Sequence, residues 1–166
     1  MKKNYDVAVI MGSDSDLKIM SQACDVLKEF KVSYQIQIVS AHRTPKEMVS
    51  FSENAKKNKI KIIIAGAGGA AHLPGMIASL TTLPVIGVPV NVTSLHGLDA
   101  LLSIAQMPKG VPVATMAVDN AYNAGLFAVR VLAITDSNLQ KKLSAFSLSQ
   151  KFKVKKMNKR IKQAVK

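Results

Sequence analysis

Three short stretches hold most of the side chains able to do chemistry: "MGSDSD" (11–16), "VSAHRTP" (39–45) and "AGAGGAAHLPG" (65–75). In the first, Gly12 permits a sharp exit from the strand and Ser13 to Asp16 begin a helix, whose free backbone amides favour an anion. A plain helix cap by Ser13 or Asp14 accounts for the same segment. In the second, Ser40 and Thr44 offer hydroxyls, and Arg43 presents a planar fork suited to phosphate or carboxylate. Beside them His42 has an imidazole able to give or take a proton near neutral pH. In the third, residues without bulky side chains let backbone amides approach a ligand closely, with His72, Leu73 and Pro74 closing the far side.

Two decoys fail on their own chemistry. Asp14 and Asp16 echo the D-x-D pattern of magnesium-dependent phosphatases, but Lys18 stands where that pattern needs Thr or Val. Gly66 to Ala71 spell G-x-G-x-x-A, the dinucleotide fingerprint, which needs an acid about 20 residues on to hold the ribose. No Asp or Glu occurs between Glu53 and Asp99, and the motif follows a later strand than the first.

Each of the three stretches follows an apolar run. Strands are predicted over residues 5–11, 32–40, 60–66, 83–90 and 110–118. Between them, Leu17, Met20, Cys24, Leu27 and Phe30 recur at helical spacing, and "TPKEMVSFSENAKK" opens with a capping residue and a proline. Further helices are predicted at about 74–81, 95–106, 120–135 and 137–164. Short apolar strands alternating with helices imply right-handed βαβ units, so the expected fold class is α/β: a three-layer, doubly wound parallel sheet in one domain, with a C-terminal helix. Ligands in such sheets bind beyond the strand C-termini, which places all three stretches on one rim.

Composition narrows the function classes. The chain has 166 residues, one cysteine (Cys24) and no tryptophan, which excludes an intrachain disulfide framework and a cysteine-based zinc site. No apolar run reaches the roughly 18 to 20 residues of a membrane span, and "MKKNYD" lacks a signal-peptide core, so a cytoplasmic protein without a membrane partner is expected. The net charge of +13 is uneven: residues 1–140 hold 13 Lys and Arg against 10 Asp and Glu, whereas residues 141–166 hold ten bases and no acid. We therefore divide the chain into a catalytic domain, 1–140, and a basic helical tail, 141–166. Phe152 is the sole aromatic among the lysines from 151 on, Phe146 lying upstream, so the tail lacks an aromatic-rich nucleic-acid motif and no specific nucleic acid is expected. The helices near 95–106 and 120–135 are apolar around most of their circumference, which predicts burial in a homo-oligomer.

Taken together, "MGSDSD", "SAHRTP", "AGAGGAAHLPGMIA", "PVIGVPV" and "SIAQMPKGVPVAT" closely resemble the N5-carboxyaminoimidazole ribonucleotide mutase family of purine biosynthesis, over about Tyr5 to Thr135. The glycine-rich loop is similar to the bacterial class; the related class that uses free carbon dioxide typically carries Lys where Arg43 stands. The resemblance implies a flavodoxin-like sheet, a homo-octamer, and conversion of the carbamate substrate to 4-carboxy-5-aminoimidazole ribonucleotide without metal or other cofactor. The alternative it leaves is a carboxylase of the same fold using the unmodified aminoimidazole ribonucleotide and carbon dioxide. It also implies transient contact with the enzyme that makes the carbamate. Carried over by position, His42 is the acid/base group and Ser13, Asp16, Ser40 and Arg43 bind ribose and phosphate. Gly68, Gly69, Ala70, His72 and Leu73 line the place where carbon dioxide is held.

Overall fold

A computed structural model describes residues 4–165, and the chain divides into two compact units that meet between Ala128 and Val129. The first unit holds five parallel strands, β1 (Val7–Met11), β2 (Tyr34–Ile38), β3 (Ile62–Gly68), β4 (Val85–Val90) and β5 (Ala114–Thr115). Their order across the sheet is β2-β1-β3-β4-β5, the flavodoxin-like arrangement, so the order in which strands are added reverses between β1 and β3. Val7 pairs with Tyr34 on one side and Ile62 on the other, which brings the ends of β1, β2 and β3 level.

Continuous apolar runs make β1, β3 and β4 the buried strands, as expected where helices cover both faces. On one face Ala8, Ile10, Ile63, Ala65 and Val85 form a single cluster with Met48 and Ala55 of α2 (Pro45–Ala55). Leu73 and Ile77 of α3 (Leu73–Leu80) and Ala100 and Ile104 of α4 (Leu98–Ala105) complete it. The other face carries α1 (Leu17–Glu29), whose Met20, Ala23, Val26 and Leu27 are buried, and the start of α5 (Ala121–Leu132). Each fully buried aliphatic side chain contributes about 1.5–3 kcal/mol from leaving water, which is how an aromatic-poor chain builds a core. β2 is the edge strand, and Ile36 and Ile38 lie exposed on it.

Two elements differ from expectation. The strand predicted at 110–118 contracts to Ala114–Thr115, because Pro112 before the pair and Pro89 of β4 beyond it each lack a donor for the ladder. The chain still runs alongside β4, with Met116 N–H donating to the Gly87 carbonyl and Asp119 N–H to that of Pro89. The helix predicted from residue 95 starts at Leu98, since His96 and Gly97 take left-handed φ values of 52° and 82°.

The second unit holds the end of α5 and α6 (Ser137–Ala164), whose N-cap Asp136 accepts hydrogen bonds from Asn138 N–H and Leu139 N–H at 2.9 and 3.1 Å. Residues 151–165 are exposed along their whole length. Among the described residues, no helix is long and apolar enough to cross a membrane.

Candidate active site

At the C-terminal edge of β1, β2 and β3 the chain leaves a cleft of about 330 Å³, within the range of small-molecule sites. The three stretches converge there. Ser13 and Asp16 reach it from the β1–α1 connection, Ser40, His42 and Arg43 from the β2–α2 connection, and Gly68, Ala70, His72 and Leu73 from the β3–α3 connection.

The first connection is a 3₁₀ turn, Asp14–Asp16, leading directly into α1. Asp16 reaches back so that Oδ2 accepts from Ser13 N–H at 3.2 Å, while Oδ1 accepts from the Ser15 hydroxyl at 3.2 Å. The side chain is only 4% exposed. Burial raises its pKa above the usual carboxylate value, partly offset by hydrogen bonds from Ser15 and the backbone of Ser13 and Gly12 and by the Arg43 charge. Asp14 instead accepts the Ser13 hydroxyl at 3.1 Å and does not line the cleft.

In the second connection Ser40 is the organiser. Its hydroxyl accepts from Arg43 N–H at 3.2 Å and from Arg43 Nε at 3.3 Å. Arg43 Nη2 then donates to the Gly12 carbonyl at 2.6 Å, tying the second connection to the first. Among the described residues Nη1 of the guanidinium has no hydrogen-bond partner, which leaves it available to an anion. Thr44, expected to cap α2 with its side chain, does not; its hydroxyl donates to the Ser40 carbonyl at 3.3 Å. The tight turn, rather than the helix, takes that hydroxyl.

The third connection brings the chain close to its neighbour. A Cβ on Gly68 would stand 2.7 Å from the Val90 carbonyl oxygen and collide with the Val92 methyl groups. Gly69 turns the chain at φ 61° and does not itself line the cleft. His72 and His42 meet across the opening, His42 Nε2 lying 2.8 Å from His72 Nδ1. Among the described residues, no group of three or more His, Cys, Asp or Glu is placed to hold a metal ion.

Gly12, Ser15, Ala41, Ala67 and Val92 also line the cleft and had not been singled out. Ser15 and Ala41 sit inside the quoted motifs, so their positions were readable. Val92 lies two residues past β4, and its packing over Gly68 depends on the sheet order, which the local sequence does not carry.

Comparison with known proteins identifies relatives over most of the chain. Residues 6–153 match the AIR carboxylase family. N5-carboxyaminoimidazole ribonucleotide mutase of Pyrococcus horikoshii is 54% identical over 157 residues, covering 95% of this chain and 89% of that protein. The mutase of Mycobacterium leprae is 57% identical over 146 residues, covering 88% and 85% respectively. Phosphoribosylaminoimidazole carboxylase of Saccharomyces cerevisiae is 58% identical over 148 residues, which are 89% of this chain but 26% of the yeast protein. The crystal structure of Treponema denticola PurE superposes with a TM-score of 0.83 at 28% identity, covering 90% of this chain and 94% of that one.

Proposed function

The chain belongs to the AIR carboxylase family, and on that footing we propose that it is an N5-carboxyaminoimidazole ribonucleotide mutase of purine biosynthesis. The reading moves a carboxyl group from the exocyclic nitrogen of an aminoimidazole ribonucleotide to a ring carbon. The observation that carries it is the meeting of an imidazole, an arginine fork and an uncluttered apolar wall in one cleft: His42, Arg43, and the stretch Ala67 to Leu73.

In the first step the carbamate N–C bond breaks, carbon dioxide leaves with neither electron of that bond, and the nitrogen takes a proton from His42. In the second, the ring carbon attacks the retained carbon dioxide, a C–C bond forms, and the ring proton returns to His42. Atoms and charge balance over the cycle, so the chemistry calls for no metal, oxidant or nucleotide cofactor. One imidazole serving two proton transfers ends each turnover as it began. Ala41, Ala67, Gly68, Ala70, Leu73 and Val92 line the cleft with apolar groups, which favours keeping the carbon dioxide beside the ring at high effective concentration. Arg43 Nη1, the Ser13 and Ser40 hydroxyls and the amides opening the 3₁₀ turn are suited to the phosphate and ribose. Asp16 holds the backbone of that turn and is placed to meet a ribose hydroxyl.

The test is conversion of the carbamate to the C-carboxylated product with chelator present and ATP absent. His42→Asn keeps the size of the ring's first half but cannot exchange a proton, so turnover is expected to fall about 10²- to 10⁴-fold with binding retained. More than a tenth of wild-type turnover in that variant would remove His42 from the mechanism. The names of the fungal relatives support a second reading, carboxylation of the unmodified aminoimidazole ribonucleotide by carbon dioxide, and the same assay run on that substrate separates the two.

We also propose that the enzyme works in the cytoplasm as a homo-octamer. Leu95, Leu98 and Leu102, around the start of α4, are 60%, 55% and 46% exposed in the single chain, which supports an assembly that covers them. Light scattering on the full chain and on a version ending at Phe152 tests this. The expected result is one large species in both cases, and a monodisperse monomer at micromolar concentration would overturn it.

A further inference from the structure

His42 and His72 come from the ends of different strands and meet ring to ring, with centroids 5.0 Å apart and planes at 83°. The facing atoms, His42 Nε2 and His72 Nδ1, are 2.8 Å apart, so one of them carries a proton and the other presents a lone pair. For neutral rings there are two ways to satisfy this. If His72 Nδ1 donates, then His42 accepts at Nε2 and holds its own proton on Nδ1; both rings then occupy the tautomer that free histidine disfavours. If His42 Nε2 donates, both rings carry their proton on Nε2, the tautomer that free histidine prefers. The second arrangement has another merit. When His42 takes up a proton it gains one on Nδ1 and keeps one on Nε2, so the bond to His72 survives unchanged; the first arrangement would have to break.

The other charged groups lining the cleft are otherwise engaged. Asp16 accepts from Ser13 and Ser15, and Arg43 donates to Ser40 and Gly12. His72 is itself firmly held: its N–H donates to the Ala70 carbonyl at 2.8 Å, and its carbonyl accepts from Met76 N–H at 3.0 Å at the start of α3.

We infer that His72 is a positioning residue for His42: it accepts the Nε2 proton, holds the neutral ring in the Nε2–H tautomer, and leaves Nδ1 as the atom that exchanges a proton with substrate. The inference rests on the proposed role of His42 and adds the atom through which that role is exercised. A contact of His72 with substrate would act on binding; a bond to His42 acts on turnover.

The experiment uses the full-length protein with His72→Asn, His72→Gln and His72→Ala. Asparagine can set its amide oxygen where Nδ1 stood, whereas glutamine reaches toward the position of Nε2. In His72→Ala, kcat is expected to fall by between about tenfold and the roughly 10⁴-fold lost when a triad imidazole takes the wrong tautomer, with KM little changed. His72→Asn is expected to recover most of that loss and His72→Gln much less. A raised KM at unchanged kcat in the alanine variant would overturn the inference, and so would an asparagine variant as slow as the alanine one. Independently of any variant's folding, ¹⁵N NMR of the wild-type protein is expected to show neutral His42 protonated on Nε2 and bare on Nδ1, and the reverse overturns the inference. If the wild-type enzyme failed to convert the carbamate, the functional reading would fall while the NMR result still judged the pair.

Discussion

Replacing Gly68 with alanine puts one methyl group where the third connection passes its neighbouring strand. The new Cβ would lie 2.7 Å from the Val90 carbonyl oxygen, below the 3.0 Å that real Cβ contacts respect, and would press on the Val92 methyls as well. Val92 can rotate, but the Val90 carbonyl cannot, because Gly68 and Val90 are paired in the ladder between β3 and β4. The connection must therefore move, by roughly half an ångström, and it takes Ala70, His72 and Leu73 with it. Misplacing reacting groups by about 1 Å costs up to roughly 10²-fold in rate, so about tenfold is expected here in kcat. Overpacking adds a stability loss of about 1–3 kcal/mol. The control is Gly69→Ala, which meets nothing closer than 3.6 Å but must adopt φ 61°. It is expected to lose about 1–2 kcal/mol of stability while kcat falls less. Steady-state kinetics on the carbamate, paired with thermal unfolding, separates the two effects. An unchanged kcat in Gly68→Ala beside a lowered Tm would refute the claim that this contact sets the loop's position over the cleft.

Arg43→Lys keeps a charge but cannot hold Ser40 and the Gly12 carbonyl together, so KM is expected to rise about tenfold with kcat nearly kept, and Arg43→Ala to be worse; an unaltered KM in both would move the phosphate elsewhere on the rim. Asp16 tests the electrostatics through pH. Because burial raises its folded-state pKa above the unfolded value, the folded protein binds the proton more tightly, and stability from this group grows as pH falls from neutral through the raised pKa toward 3.8. Thermal melts of wild type and Asp16→Asn between pH 7 and 4 should therefore show the difference moving in favour of wild type on acidification; a difference that is flat or moves the other way contradicts the assigned cause.

The strand–helix alternation was legible because the core strands are unbroken apolar runs: Val7 to Met11 and Ile62 to Ile64 admit few other readings. The convergence of Ser13, His42 and His72 followed from the same alternation, since parallel strands put every connection of one kind on one edge. What local sequence could not carry was contact across the sheet. Pro89 and Pro112 lie 23 residues apart and shorten β5 only because β4 and β5 are neighbours. Val92 entered the cleft for the same kind of reason. The bond between Arg43 and the Gly12 carbonyl, and the pairing of the two imidazoles, depend on angles between loops that spacing along the chain does not encode.

The central place of β3 has a consequence for how the site comes into being. Apart from Val92, every residue lining the cleft lies between Gly12 and Leu73, so a chain emerging from the ribosome N-terminus first has presented nearly all of its reacting groups before β4 is made. Those groups cannot yet be held. β3 is buried on both sides only when β4 pairs with it, and Ile104 of α4 must arrive to complete the cluster under Ile63 and Leu73. The segment up to Leu73 thus carries the chemistry, and β4 and α4 supply the rigidity. Truncations that spare every residue from Gly12 to Leu73 but remove β4 or α4 are accordingly expected to abolish activity as completely as loss of His42.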